Sequence, residues 1–412
     1  MKFGNEKELA NFIKSLGGEL WLVGGSIRDE IMGNPASDRD YVVTGMRVEQ
    51  VSFEKIVGSD FPVFLVDIGS EKCEVALART ENKSGSGYHG FTFFSDPSVT
   101  IVQDLARRDL TINAMAKNVL TGDIVDPFNA RTHIAARILK HTTGAFADDP
   151  LRVYRIARFA AKFGFAVHGE TAQMMKSLRD ELPALKAERV LKEFEKVLAL
   201  ENARVFFDVL KSVDLLHIHF PEIAALDVPD KHDGTTYNHT MNLLRYARSS
   251  RMRFALLVHD FGKALTPKEN HPAHYGHESL GKQPVIDFCE RLRIPNDFKK
   301  FGLLCAENHM RLKRLDEMRP GKIVKLVLAN NGAIMDLLEM SFIDSARREG
   351  GDFELEAKRF SGFGEIVRIA MQSAKEINGD TLITEGFEPS PTFGETLLSR
   401  RIERFKHLVS HD

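Results

Sequence analysis

The sequence predicts an α+β N-terminal domain built on a small mixed sheet, followed by an all-α remainder. Three observations carry this. Short runs rich in Val, Ile, Leu or Phe recur through residues 1–142, each bounded by turn residues. From residue 149 to 375 the pattern is almost entirely helical. The chain of 412 residues is also too long for one ordinary domain and accommodates about two to four.

Strands are expected at 19–23, 38–43, 62–66, 74–79, 100–103 and 123–126. The first two frame the most informative stretch, LVGGSIRDEIMGNPASDRDYVV at 22–43. An apolar strand ends in Gly24-Gly25, and a turn or short helix carries Arg28 and Asp29. The next strand presents Asp38 and Asp40. Side chains alternate across a strand, so these two carboxylates share a side and Arg39 takes the other. Paired carboxylates on a rigid face hold hard divalent cations such as Mg2+. A glycine pair before a helix start admits a phosphate close to the backbone. Together they point to a metal-dependent nucleoside triphosphate site; singly they read as a surface turn and a solvated strand end. The glycines and serines of 81–91 mark a mobile loop, or else an idle hairpin connection.

Arg107-Arg108-Asp109-Leu110-Thr111-Ile112-Asn113 is the second motif. Adjacent arginines point different ways, so one is expected on a phosphate and the other on an acid. Asn113 offers a donor and an acceptor to a ribose; the plainer reading is a helix start capped by Asp109. At Asp149-Pro150 a long helix is expected, with Asp149 as N-cap and Pro150 in the first turn. Arg152, Arg155, Arg158 and Lys162 recur at steps of three and four beside an apolar stripe of Ile156, Phe159, Ala160 and Phe163. The expectation is one buried side and a basic ladder for triphosphate or RNA backbone on the other. A solvated cationic face is the alternative.

The polar stretch 229–236 and the breaks at Pro320-Gly321 and Gly350-Gly351 divide the helical part. We therefore expect domains at 1–142, 143–228, 229–345 and 346–412. His239, His259-Asp260, His274, His277 and His309 form a third cluster, and such residues gather one or two transition metals. His259-Asp260 interrupts the apolar run ALLVHDFGKAL, where idle polar groups would be costly. Formal net charge is −2, so any nucleic-acid surface is a local patch. The cysteines Cys73, Cys289 and Cys305 lack metal-type spacing and fit reduced thiols. The N-terminus lacks a secretory apolar core, and no run spans a membrane; a cytoplasmic protein without a membrane partner is expected.

Taken together, these residues resemble the bacterial class II tRNA nucleotidyltransferases, the CCA-adding enzymes of the polymerase-β-like superfamily. LVGGSIRD with DRDYVV is similar to the family's first motif and RRDLTINA to its second. DDPLRVYRIARFAAKFGF resembles its base-selecting and neck helix, and ERVLKEF the element supporting that neck. VHDFGK resembles the HD phosphohydrolase domain of the multifunctional branch. The resemblance implies a nucleotidyltransferase head, then helical neck, body with an HD site, and tail. It implies addition and repair of the 3′-terminal CCA of tRNA from CTP and ATP without a nucleic-acid template. Asp38 and Asp40 would hold Mg2+, and Gly25, Arg28 and Arg108 would contact the nucleotide. Asp149 and Arg152 would read the base edge, with Arg155 and Arg158 continuing the site. His239, His259, Asp260, His274, His277 and His309 would line an HD site using Ni2+ or another divalent transition metal, acting on 2′,3′-cyclic phosphates, 2′-nucleotides and phosphomonoesters. A monomer or homodimer is expected.

The chain departs from the family where Glu-Asp is usual and Asp148-Asp149 stands, and where Gly and Asp are usual and Ala130 and His133 stand. Met310 follows His309 where some relatives have Asp. Three other readings are compatible with parts of the pattern: an enzyme adding only CC or only A, a poly(A) polymerase, and an HD phosphohydrolase with an RNA-binding head.

Overall fold

The computed structural model describes residues 1–35, 39–50, 56–57, 63–83 and 91–410. Asp38 and the 84–90 part of the glycine-serine loop lie outside the described residues. The chain forms two compact units, Met1–Glu193 with Val205–Ile218, and Phe194–Arg204 with His219–Asp412.

The first unit holds every strand among the described residues. In chain order they are β1 (Lys2–Phe3), β2 (Glu19–Val23), β3 (Asp40–Thr44), β4 (Ile56–Val57), β5 (Val63–Ile68) and β6 (Glu71–Leu77). There follow β7 (Thr80–Lys83), β8 (Phe91–Phe94), β9 (Ala116–Asn118), β10 (Ile124–Val125), β11 (Ile138–Leu139) and β12 (Ala166–Val167). A mixed sheet runs β1-β5-β6-β3-β2-β9-β10, with β4 on β5. β3 is antiparallel to β2 and parallel to β6. β7 with β8 and β11 with β12 form separate pairs.

Side chains in register share a sheet face, so Val23, Asp40 and Glu74 lie side by side. Val23 also belongs to a core with Val42, Ala78, Val99, Ile101, Leu105, Ala114 and Ala116, against which Trp21 and Phe128 pack. The helix Glu6–Ser15 buries Leu9, Ala10 and Ile13.

Two expectations on elements are corrected. Residues 100–103 are not a strand: Ile101–Ala106 is a helix whose cap Thr100 exchanges hydrogen bonds with Gln103. The β-branched run looks like a strand, but that capping box and the burial of Ile101 and Leu105, four apart, favour a helix. The neck helix starts at Arg152, not Pro150. Asp149 stays extended at φ −124° and ψ 102°, the region into which a following proline pushes its neighbour.

Among its described residues the second unit has helices and connecting turns but no strand. The helices Ser250–Val258, Asn296–Leu312, Ile334–Ala346 and Phe353–Glu376 pack in succession. Phe288 anchors the core, its ring centroid 5.9 Å from Phe194, 6.1 Å from Phe254 and 5.6 Å from Phe261. The buried Arg253 donates to the carbonyls of Leu244, Ala247 and Leu198, joining three segments. No single described helix is long and apolar enough to cross a membrane.

Candidate nucleotide and metal sites

The first site gathers around Gly24-Gly25. Gly24 follows β2 at φ +78° and ψ −134°, a conformation L side chains rarely adopt. A Cβ there would lie 3.3 Å from Arg108 Nη1, and one on Gly25 would lie 3.1 Å from Arg28 Nη2. The pair is thus flanked by two guanidinium groups, as a phosphate-approach site requires.

Most arginines in this region are already engaged within the protein. Arg28 is buried; its Nε donates to Asp29 at 2.9 Å, its Nη1 to Asn113 Oδ1 at 2.5 Å, and it stacks on Phe163 at 4.6 Å. Asn113 in turn donates to Asp109 at 3.1 Å, so it binds protein partners on both sides rather than being left for a ribose. Asp109 is not a helix cap. It accepts two bonds from Arg155, at 2.9 and 2.7 Å, and one from its neighbour's N–H. Arg107 and Arg108 do not split between phosphate and acid: both grip the buried Asp104, at 2.7 and 3.1 Å.

The expected basic ladder is half withdrawn: Lys162 is exposed and Arg155 partly so, while Arg152 and Arg158 are buried. Arg152 is buried and donates to the carbonyls of Ala145 and Arg107, each at 2.7 Å. Arg158 is buried against Glu193 at 2.5 Å. Asp149 accepts Leu151 N–H at 3.2 Å and pairs with Arg189 at 2.9 Å, not with Arg152. Periodicity located these arginines on one helix, but only the packing shows that their partners lie on other segments. Ala130 is fully buried, and His133 Nδ1 lies 3.0 Å from Thr111 Oγ1 in the segment carrying Asn113.

For a hard cation the fit rests on Asp40. Its carboxylate opens β3, is exposed, and has Glu74 as its in-register neighbour. An all-oxygen donor set of this kind suits Mg2+. The sequence reading missed Glu74, which parallel pairing of β3 with β6 brings beside Asp40.

The second site lies in the helical unit. His239 comes from helix Thr236–Leu243, His259 and Asp260 from the end of Ser250–Val258, His277 from the short helix His277–Leu280, and His309 from Asn296–Leu312. Each of the four fixes Nδ1 outward: His239 on Asp233 at 2.9 Å, His259 on Leu256 O at 2.8 Å, His277 on His274 O at 2.9 Å, His309 on Cys305 O at 3.0 Å. For His259, His277 and His309 an Nδ1 bonded to a carbonyl carries the proton, so their Nε2 lone pairs point inward, whereas His239 lies between the carboxylates of Asp233 and Asp344. There His277 and His309 face each other at 3.2 Å, with Asp260 Oδ1 at 3.3 and 3.7 Å. His259 Nε2 is 3.2 Å from Asp260 Oδ2. Both His259 Nε2 and Asp260 Oδ1 are buried without a hydrogen bond among the described residues. Inward lone pairs beside carboxylates form a donor set that could hold a cation, and a mixed imidazole-carboxylate set suits a divalent transition metal.

Asp344, which the sequence reading did not single out, completes the cluster at 3.0 Å from His239 Nε2. The sequence does not single it out, because its helix Ile334–Ala346 also carries Asp336 and Glu339. His274 is corrected. Both its ring nitrogens are engaged, with Thr266 Oγ1 at 2.7 Å and Pro229 O at 2.6 Å, while its carbonyl orients His277. It braces the site and does not face it. Burial works against the charge on His239, but Asp233 and Asp344 outweigh it and raise its pKa to about 9. Burial and the neighbouring His259 hold His309 down at about 3.

Residues 20–140 match the family model of the poly A polymerase head domain, and 164–226 that of the probable RNA and SrmB-binding site of polymerase A. A multifunctional CCA protein of Acinetobacter baumannii is 40% identical over 406 residues, covering 93% of this chain and 96% of its own. The Bacillus stearothermophilus CCA-adding enzyme, solved in complex with CTP, superposes with a TM-score of 0.62 at 24% identity, over 95% of this chain and 90% of that one. The Thermotoga maritima CCA-adding enzyme, solved with tRNA-CCA, gives a TM-score of 0.66 at 18% identity, over 98% and 93%. These neighbours share the α+β head and helical remainder found here.

Proposed function

We propose, from the premise that the chain belongs to the multifunctional CCA protein family and is a nucleotidyltransferase, that it adds and repairs the 3′-terminal CCA of tRNA from CTP and ATP. The observation that carries this is the glycine turn flanked by Arg28 and Arg108 on the strand next to Asp40. The tRNA 3′-hydroxyl attacks the α-phosphate, the new O–P bond replaces the bond to the β-phosphate, and pyrophosphate leaves. Mg2+ held by Asp38 and Asp40, with Glu74 adjacent, would supply charge stabilisation to the attacking and departing oxygens. Gly24 and Gly25 let the triphosphate reach the backbone. The network Asp29–Arg28–Asn113–Asp109–Arg155 holds the turn, the second motif and the neck helix in one geometry. Asp149, Arg152 and Arg158 set the wall against which the base is read. Working domains at 1–142, 143–228, 229–345 and 346–412, and a cytoplasmic monomer or homodimer, complete this reading.

A tRNA ending before CCA, incubated with each nucleotide alone and with CTP plus ATP, tests it. The expected products are CC from CTP, CCA from the mixture, and no growth on UTP or GTP. Addition of only CC or only A means split specificity, and a long A run means a poly(A) polymerase. No addition at all leaves an HD phosphohydrolase with an RNA-binding head.

A second activity is supported by the inward Nε2 atoms of His239, His259, His277 and His309 around Asp260 and Asp344. We infer a phosphohydrolase acting on 2′,3′-cyclic phosphates, 2′-nucleotides or phosphomonoesters. Ni2+ or another divalent transition metal held there would supply Lewis-acid polarisation of a phosphoryl oxygen.

A further inference from the structure

We propose that Lys313 is the phosphate-binding group of this His/Asp centre, held on Asp344 until a divalent metal draws that carboxylate away; the proposal rests on the metal-centre reading above. Lys313 Nζ lies 2.5 Å from Asp344 Oδ2. It follows the helix carrying His309 by one turn, and its N–H donates to His309 O at 3.2 Å. Residues four apart on a helix share a face, so ammonium and imidazole approach the centre from the same side.

Exposure tells the lysines from the inward-facing groups. The side chains of His239, His259, Asp260, His277, His309 and Asp344 are at most 6% exposed, whereas Lys263 is 14% and Lys313 20% exposed. A ligand entering from solvent therefore meets the lysines first. The two then differ in what a metal would leave them. Lys263 bridges Asp260 at 2.8 Å and Asp230 at 3.0 Å, and Asp230 remains as its partner once Asp260 binds a cation. Among the described residues Lys313 has only Asp344 as an acidic partner. When Asp344 turns to a metal, a largely buried ammonium is left without an anion, which is costly. An incoming phosphate dianion compensates it, and a compact ammonium on a flexible four-carbon stem can swing from carboxylate to phosphate. The ligand class is accordingly a phosphomonoester or cyclic phosphodiester. In the metal-free state the same lysine competes with the metal for Asp344.

The test is calorimetric and uses the full chain. Nickel is titrated into metal-stripped parent, Lys313→Met and Lys313→Arg, and inorganic phosphate is then titrated into each nickel-loaded protein. Lys313→Met should bind nickel at least as tightly as the parent, yet bind phosphate about tenfold or more weakly, the loss of one charge-assisted hydrogen bond. Lys313→Arg should restore most of the phosphate affinity. Phosphate affinity unchanged in Lys313→Met overturns the role of the lysine alone. So does joint loss of nickel and phosphate, which would make Lys313 a scaffold of the site. A parent that binds neither nickel, manganese nor zinc overturns the metal centre itself, and this proposal with it.

Discussion

Asp109 is buried between Asn113 and Arg155, and its ionisation contributes to how the head responds to acid. Burial alone would raise its pKa. The charge of Arg155, with hydrogen bonds from Asn113 and Arg155, outweighs burial and lowers it from 3.8 to about 2. A carboxyl depressed on folding contributes stability that is full above its unfolded pKa and is lost as pH falls through the folded one. The contribution is about 2 kcal/mol, present above pH ~4 and gone near pH ~2. Asp109→Asn should therefore lower the stability of the head at pH 7 by a similar amount and flatten acid unfolding between these limits. Chemical unfolding at pH 7 and at pH 3, followed by circular dichroism, checks it. Asp40→Ala should abolish nucleotide addition while tRNA binding survives; near-normal incorporation in magnesium would remove Asp40 from the metal site. Arg152→Ala frees the carbonyls of Ala145 and Arg107 and should admit UTP or GTP. Equal loss with CTP and ATP, without misincorporation, would make Arg152 a structural tie only.

At the scale of elements, the two glycine-turn residues and one buried arginine do the joining. Gly24→Ala places a Cβ in a backbone region reserved for glycine and 3.3 Å from Arg108. A cost on the order of 1–3 kcal/mol is expected, with a raised KM for CTP. An unchanged melting temperature and KM would show that the turn relaxes without the glycine. In the helical unit, Arg253→Met removes donors from three buried carbonyls, Leu244, Ala247 and Leu198. Several kcal/mol, roughly 3, should be lost there, read as an earlier urea transition. The capping box at Thr100–Gln103 shows how a local device redirects a segment: residues with strand propensity fold as a helix because both ends of the first turn are satisfied.

For the whole molecule, the residues proposed for the transferase site all belong to one compact unit and the His/Asp cluster to the other. The doubled variant His259→Ala, Asp260→Ala should therefore lose metal-dependent hydrolysis of 2′,3′-cyclic phosphates and keep CCA addition. Assays on one preparation, with nickel, manganese, cobalt and magnesium for hydrolysis, check both halves. Hydrolysis persisting in that variant would place the second activity elsewhere. Simultaneous loss of addition would show that the sites depend on each other.

The sequence by itself determined the class of fold, the glycine turn and the His259-Asp260 anomaly. Each is written locally, in a backbone requirement, a two-residue alternation or a polar interruption of an apolar run. It also ordered the short strands around β2, β3 and β6 within a few residues. What it did not determine was how each charge is matched. Arg28 with Asn113, Arg158 with Glu193 and His239 with Asp344 are separated by 85, 35 and 105 positions, and no periodicity links them. The basic ladder read from 152–162 was a correct spacing given the wrong environment at Arg152 and Arg158, because burial depends on what packs against a helix and not on the helix alone. The same reason hid Glu74 and Asp344 and misplaced His274. A ligand set is a meeting of separate elements, and only the tertiary structure decides which side chains arrive and which nitrogen each presents.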